Sequence, residues 1–194
     1  MAPRIALSFD DGPSQWTPAI LDLLAAAGAR ATFFVLGQSI DGREDVVRRI
    51  AAEGHELGNH GYSHRDMRKL SGAEIEEELG STADRIEALG LERPRLVRPP
   101  YGEGSRRVAR VARRIGAGSV VLWSIDPADW RSTADAIVAT VLAEARDGAI
   151  VDRHDGMPLA GSTSSPTREA TVEAVGRVLA ELAGWTFVTV GDLG

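Results

Sequence analysis

Arg4-Ile5-Ala6-Leu7-Ser8-Phe9-Asp10-Asp11-Gly12-Pro13 is the stretch from which the rest of the chain can be read. The alternation of Ile5, Leu7 and Phe9 predicts a strand over Arg4–Phe9, which runs straight into two carboxylates and a Gly-Pro turn. A dinucleotide-binding sheet would place a glycine-rich turn here, with amides cradling phosphate. Paired carboxylates would repel phosphate, so that reading fails.

Working outward, six more β-branched or aromatic runs follow, at Ala31–Leu36, Glu56–Asn59, Leu96–Arg98, Ser119–Trp123, Ala149–Arg153 and Thr186–Val190. Segments of helical period separate them, the pattern of repeated β-α units around a parallel sheet. Thr17 is read as an N-cap before Pro18, with Gly28 just past the helix end and Ile20, Leu23, Leu24 and Ala27 as its apolar stripe. Ser71 and Glu74 form a capping box for a helix to about Leu89. Ser165-Pro166 is read as opening a last helix that carries Val172, Val175, Leu179 and Leu182. The irregular piece Asp155–Ser164 follows a strand end and is a candidate substrate loop. No repeat or linker divides the chain, so residues 1–194 are expected to form one domain.

The 194 residues are 43% hydrophobic and 26% charged, a globular balance that can bury roughly 70% of the unfolded surface without staples. Cysteine is absent, which excludes disulfides, thiolate metal sites and thiol nucleophiles and leaves His, Asp and Glu as ligands. A net charge of −6 argues against a nucleic-acid partner. The apolar stretch from Leu23 to Leu36 is broken by Gly28 and Arg30 and falls short of the ~20 residues of a membrane span, so no membrane insertion is expected. Met1-Ala2-Pro3-Arg4 leads directly into the first strand, and no signal peptide is expected in this chain. The arginines at 106, 107, 110, 113 and 114 recur opposite Val108, Val111, Ala112 and Ile115, as on a solvated helix face.

Reactive side chains recur after the predicted strands: Asp10 and Asp11, His60 and His64, Arg98, Asp126 and Asp129, and His154. In parallel α/β folds the site lies at the carboxyl ends of the strands, and contributions from five strands favour a closed or nearly closed barrel. His60 and His64, placed on one helical turn, would share a metal ion with Asp11 as a hard oxygen donor, leaving coordination positions open. That set suits zinc or another divalent ion and also resembles the two-His-one-carboxylate face of iron oxygenases. Asp10 stands beside it as a carboxylate able to take a proton from water. His154 is the candidate general acid, with Asp126 read as the carboxylate that holds its imidazole and keeps it protonated.

These residues resemble the polysaccharide deacetylase family, the carbohydrate esterases built on the NodB homology domain. The motifs are Ser8–Pro13, Gly54-His55-Glu56-Leu57-Gly58-Asn59-His60 through His64, Arg98-Pro99-Pro100-Tyr101-Gly102, Asp126 to Trp130, and the closing Phe187–Val190. The resemblance implies an α/β fold, a distorted, TIM-barrel-like seven-stranded (β/α) barrel, and metal-dependent removal of acetyl groups from N- or O-acetylated carbohydrates of chitin, peptidoglycan or xylan type. It implies Asp10 as base, steered by Arg98, and Asp11, His60 and His64 as ligands of a divalent metal: zinc first, with cobalt, manganese or nickel as alternatives. It also implies an oxyanion donor in the Tyr101 N–H, His154 as acid tuned by Asp126, and Trp130 packing beside the site. His55 has no role in the pattern and is read as structural. Members of the family are often secreted or cell-wall associated.

Two positions depart from the pattern. Gly61 replaces the usual Ser or Thr after the first metal histidine, which predicts a looser loop. Asp152 stands where the family has a leucine against the acetyl methyl. It alternates with Ile150 and His154 on one strand, with Cα atoms of 152 and 154 roughly 6.6 Å apart, so its carboxylate should face the acyl pocket and need a cationic partner or solvent. Relatives of this fold also open cyclic amides or remove formyl groups, and a polar acyl pocket suits such a substrate better than a methyl. An iron oxygenase and a non-catalytic sugar-binding module are the competing classes, and the oxygenase gives Asp10, Arg98 and His154 no role.

Overall fold

The computed structural model describes residues 2–102, 104–158 and 167–194. Its sheet comprises β1 (Arg4–Asp10), β2 (Ala31–Val35), β3 (Glu56–Asn59), β4 (Leu96–Val97), β5 (Ser119–Val120), β6 (Ala149–His154) and β7 (Thr186–Phe187), in the order β5-β4-β3-β2-β1-β6 with β7 against the start of β1. Every pairing is parallel. Past β5 the chain swings over to β6, where Ser124 and Ile125 donate to the Ile150 carbonyl and Asp152 donates back to Ile125. The two ends of the sheet are thereby joined, and the expected distorted barrel results.

Helices α1 (Thr17–Ala27), α2 (Glu44–Ala52), α3 (Gly72–Ala88), α4 (Arg106–Arg114), α5 (Ala134–Glu144) and α6 (Glu169–Glu181) connect the strands. Ile5, Leu7 and Phe9 of β1 face the main core with Ile20, Leu24, Val175 and Val178 of the helices. Ala6, Ser8 and Asp10 alternate to the other face. There Ala6, Phe34, Leu96 and Val190 form a small apolar floor, and the polar residues stand above it.

Several local expectations change. Thr17 is the first residue of α1 rather than its cap, because its hydroxyl is engaged sideways: it accepts from the Ser14 amide at 2.8 Å and donates to Asp155 at 2.5 Å. The buried stripe of α1 runs through Ile20, Leu21 and Leu24, with Leu23 half-buried and Ala27 exposed beside α6. The runs read at Ser119–Trp123 and Thr186–Val190 pair as strands over only their first two residues. Ser71 and Glu74 form the expected capping box of α3. Ser165-Pro166 and the later part of the Asp155–Ser164 piece lie outside the described residues. The exposed arginines of α4 oppose buried Val108, Val111 and Ala112, as an amphipathic face requires.

Candidate active site

The upper end of the barrel opens into a cleft of about 520 Å³ lined by Asp10, Asp11, His60, His64, Tyr101, Trp123, Asp126, Trp130, Asp152, His154, Pro158 and Arg168. β1 ends in Asp10, β6 ends in His154, and the residues after β3 and β4 bring the others. The carboxyl ends of the strands therefore gather residues far apart in sequence.

Asp11 is 3% exposed, and its Oδ1 has no hydrogen-bond partner. His64 Nε2 lies 3.4 Å from that oxygen and His60 Nε2 lies 3.5 Å from it. His60 Nδ1 donates to the Arg98 carbonyl at 2.6 Å, which turns its Nε2 lone pair toward Asp11. Burial pushes the His64 imidazole below its ordinary value, against the pull of Asp11, and so favours the neutral form a ligand needs. A buried oxygen left unbonded between two imidazole nitrogens fits a divalent cation: Asp11, His60 and His64 can hold one.

The spacing of the two histidines is not that of a helical turn. Residues 60–64 form a loop in which Gly61 and His64 take φ of 85° and 61°. A residue the motif reading passed over organises it. Glu78, buried on α3, accepts from the amides of Tyr62 and Ser63 at 2.9 Å each and from the Ser63 hydroxyl at 2.7 Å. Asn59 Oδ1 accepts from the Gly61 amide at 2.9 Å. This bracing does what the missing hydroxyl at 61 was expected to do, and a glycine suits the left-handed backbone there. The available signal was a glutamate within the apolar stripe Ile75, Leu79, Ala83, Ile86.

Arg98 is fully buried beneath the cleft, its guanidinium 4.1 Å from the Phe34 ring centroid. Its Nη1 donates to Ser8 Oγ at 2.8 Å, Asp10 Oδ1 at 2.8 Å and Asp152 Oδ1 at 3.0 Å. Asp152 thus has the cationic partner its burial called for, and it lines the cleft as its strand alternation predicts. Oxygen or nitrogen atoms of Asp10, Asp152 and His154 lie within 4.8 Å of one another, but here the Arg98 guanidinium already supplies the positive charge. Burial first, and then the charge of Asp10, hold the Asp152 carboxyl well above the usual range.

The partner of His154 is Asp129, not Asp126. Asp129 Oδ1 accepts from His154 Nδ1 at 2.7 Å, while its Oδ2 accepts from the His154 amide at 2.9 Å and the Thr171 hydroxyl at 2.7 Å. Asp126 is exposed at the cleft rim and accepts from the Ala128 amide at 2.8 Å. It precedes Pro127, and this Asx turn was the signal that its carboxylate is spent locally. Burial by itself would lower His154, but the bond to Asp129 and the charges of Asp129, Asp152 and Asp11 outweigh it and lift the imidazolium to about 10. Asp129 is lowered because the bonds from His154 and Thr171 outweigh its burial.

Tyr101 holds φ 62° and ψ 16°, left-handed for a non-glycine residue, and its ring meets His64 edge-on at 4.7 Å. Trp130 is 48% exposed at the mouth. His55 lies at the start of β3, away from the cleft, accepting from the Ala31 amide at 3.2 Å, as a structural residue would. Arg168, buried beside the cleft, donates to the Gly156 carbonyl at 2.9 Å and was not anticipated.

Residues 2–120 match the family model for polysaccharide deacetylase. A chitooligosaccharide deacetylase of Bradyrhizobium sp. is 38% identical over 184 residues, 92% of this chain and 84% of that protein. A peptidoglycan-N-acetylglucosamine deacetylase of Bacillus cereus is 35% identical over 194 residues, 98% of this chain and 68% of its own length. The solved structure of the peptidoglycan deacetylase PdaC from Bacillus subtilis superposes with a TM-score of 0.86 at 34% identity, covering 99% of this chain and 90% of that one. With its barrel, its His-His-Asp cluster and these relatives in agreement, the chain belongs to the polysaccharide deacetylase family, hydrolases that take acetyl groups off carbohydrates.

Proposed function

We propose that this chain hydrolyses N-acyl groups on glucosamine-containing oligomers or polymers, with zinc held by Asp11, His60 and His64. One observation carries the reading. A buried carboxylate oxygen without a partner stands between two imidazoles, flanked by a second carboxylate, with a third imidazole across the cleft held by its own aspartate. The sugar class comes from the relatives, whose names give chitooligosaccharides and peptidoglycan N-acetylglucosamine.

When bound, the metal would polarise the acyl carbonyl and lower the pKa of the attacking water. Asp10 accepts the water proton, its carboxylate oriented by Arg98 at 2.8 Å. The Tyr101 amide is assigned to the oxyanion, a donor of a kind worth ~3–4 kcal/mol. His154, with Nδ1 committed to Asp129, offers Nε2 to protonate the departing nitrogen. Tyr101 and Trp130 at the mouth give sugar rings apolar faces to stack on.

Acetate release from N-acetylglucosamine oligomers and from acetylated xylan, by chelator-stripped protein with and without zinc, tests this. The expected result is zinc-restored release, fastest from the amide substrates. Oxygen consumption that requires ferrous iron and an oxo-acid, without acetate, would replace the reading with an oxygenase. Oligomer binding with no turnover under any metal would make the chain a binding module.

A further inference from the structure

The base and the acid of the proposed reaction fix where the acyl group must sit. The water that attacks gives its proton to Asp10, and the nitrogen that leaves takes one from His154, so the acyl carbon lies between these two side chains. Asp152 has an oxygen within 4.8 Å of atoms of both. Its strand position, one alternation below His154 and level with Ser8 of β1, puts it on the barrel side of the sheet. Its Oδ1 is taken by Arg98 at 3.0 Å, and the 4% of the residue that stays exposed opens onto the cleft. Whatever the acyl carbon carries besides its carbonyl oxygen and its nitrogen therefore stands against a carboxyl group.

A methyl there would cover a polar group it cannot bond, which disfavours binding of an acetyl amide. A hydroxymethyl in the same place gains a hydrogen bond. Beneath Asp152 lies the apolar floor of Ala6 and Phe34, with half-buried Ile150 packed against it, a wall for a small substituent.

We infer that Asp152 selects a hydroxyacetyl amide over an acetyl amide, so that the group this chain removes best from an amino sugar is a two-carbon hydroxyacyl. The inference rests on the roles proposed for Asp10 and His154. Water oxygen bonds to the acyl carbon, the carbon–nitrogen bond breaks, Asp10 takes the water proton and His154 supplies one to nitrogen. The products are the free amine and hydroxyacetic acid, with no other reactant needed. Burial and the neighbouring Asp10 push the Asp152 carboxyl upward, and a hydroxyl serves either form, donating to a carboxylate or accepting from an acid.

The test is kcat/KM of the zinc-loaded protein on a glucosamine tetramer carrying N-acetyl groups and on the same tetramer carrying N-hydroxyacetyl groups, each followed by chromatography of the released acid. The wild-type protein should favour hydroxyacetyl by about tenfold or more, the discrimination a site built to bond a hydroxyl can reach. Asp152→Leu should bring the ratio to one or below by raising the acetyl rate and lowering the other. A wild-type ratio at or below one overturns the inference whether or not the variant folds, as does an unchanged ratio in Asp152→Leu. Acetate release without a hydroxyacetyl preference overturns the acyl assignment alone, whereas release of neither acid overturns the deacylase reading along with it.

Discussion

Asp126 and Asp129 stand on one loop, yet only one of them reaches His154. The difference is local stereochemistry: Asp126 precedes proline and caps its own turn, while Asp129 is carried inward to bond the amide and the ring of His154 together. Asp129→Ala should therefore lower kcat for acetate release by about 10²–10³, within the range of an impaired general acid, and Asp126→Ala by far less. In metal-free protein, an NMR titration should find the His154 ring protonated up to about pH 10 and show that point fall in Asp129→Ala. The sign for stability follows from the same shift. The folded protein holds this proton more tightly than the unfolded chain, so the pair contributes fully below about pH 6.5 and its contribution is lost as pH rises through the folded value. A chemical-denaturation series from pH 6 to 10 would show the loss, and it should be smaller in Asp129→Ala. Residue identity made Asp10, Asp11, the histidines and Arg98 readable, because their types and order are unusual for any other purpose. Which of two aspartates faces inward depends on loop geometry that spacing does not encode.

At the scale of elements, the site depends on a helix that contributes no ligand. α3 places Glu78 against the 60–64 loop, and three hydrogen bonds hold the backbone that carries both histidines. Removing that carboxylate leaves two half-buried amides without their acceptor, and the loop that positions His64 at φ 61° loses its support. Glu78→Ala should weaken zinc binding by about 10–100-fold, measured by competition with a chromophoric chelator. Ser71→Ala, which removes the N-cap of the same helix without touching Glu78, should cost about 1 kcal/mol of stability and leave zinc affinity unchanged. The contrast separates a loop brace from general weakening of α3. The sequence predicted this helix through its capping box and stripe, but the histidine spacing suggested a helical turn where the chain forms a loop. A spacing of four positions suits either, and the bonds that decide between them come from an element outside the motif.

Across the whole molecule, β1 is the axis: it pairs with β2, β6 and β7, is buried on both faces and ends in the carboxylates. Its reading therefore carried the fold class, and the remaining strands followed from alternation with helices. Closure of the barrel followed from the five strand ends that carry reactive side chains, but the contacts that make it, between β6 and Ser124 and Ile125, leave no periodic trace in so short a run. The same architecture stores a cost at its upper end. Asp10, Asp11 and Asp152 lie close together with Arg98 bonding to Asp10 and Asp152, while Asp11 Oδ1 has no hydrogen-bond partner. A bound cation would offset that cost and tie the end of β1 to the loop after β3. Zinc at a hundred times its dissociation constant would add about 2.7 kcal/mol, roughly 5–10 °C in Tm for a chain of this size. Asp11→Asn should reverse the order of the two states. Without metal its amide can donate to the imidazole nitrogens and one negative charge is gone, so the stripped variant should melt at or above the stripped wild-type protein. With zinc added it should gain little, and the wild-type protein should overtake it. Melting curves of both proteins with and without zinc measure this directly. If the two curves keep the same order in both conditions, Asp11 is not where the ion is held.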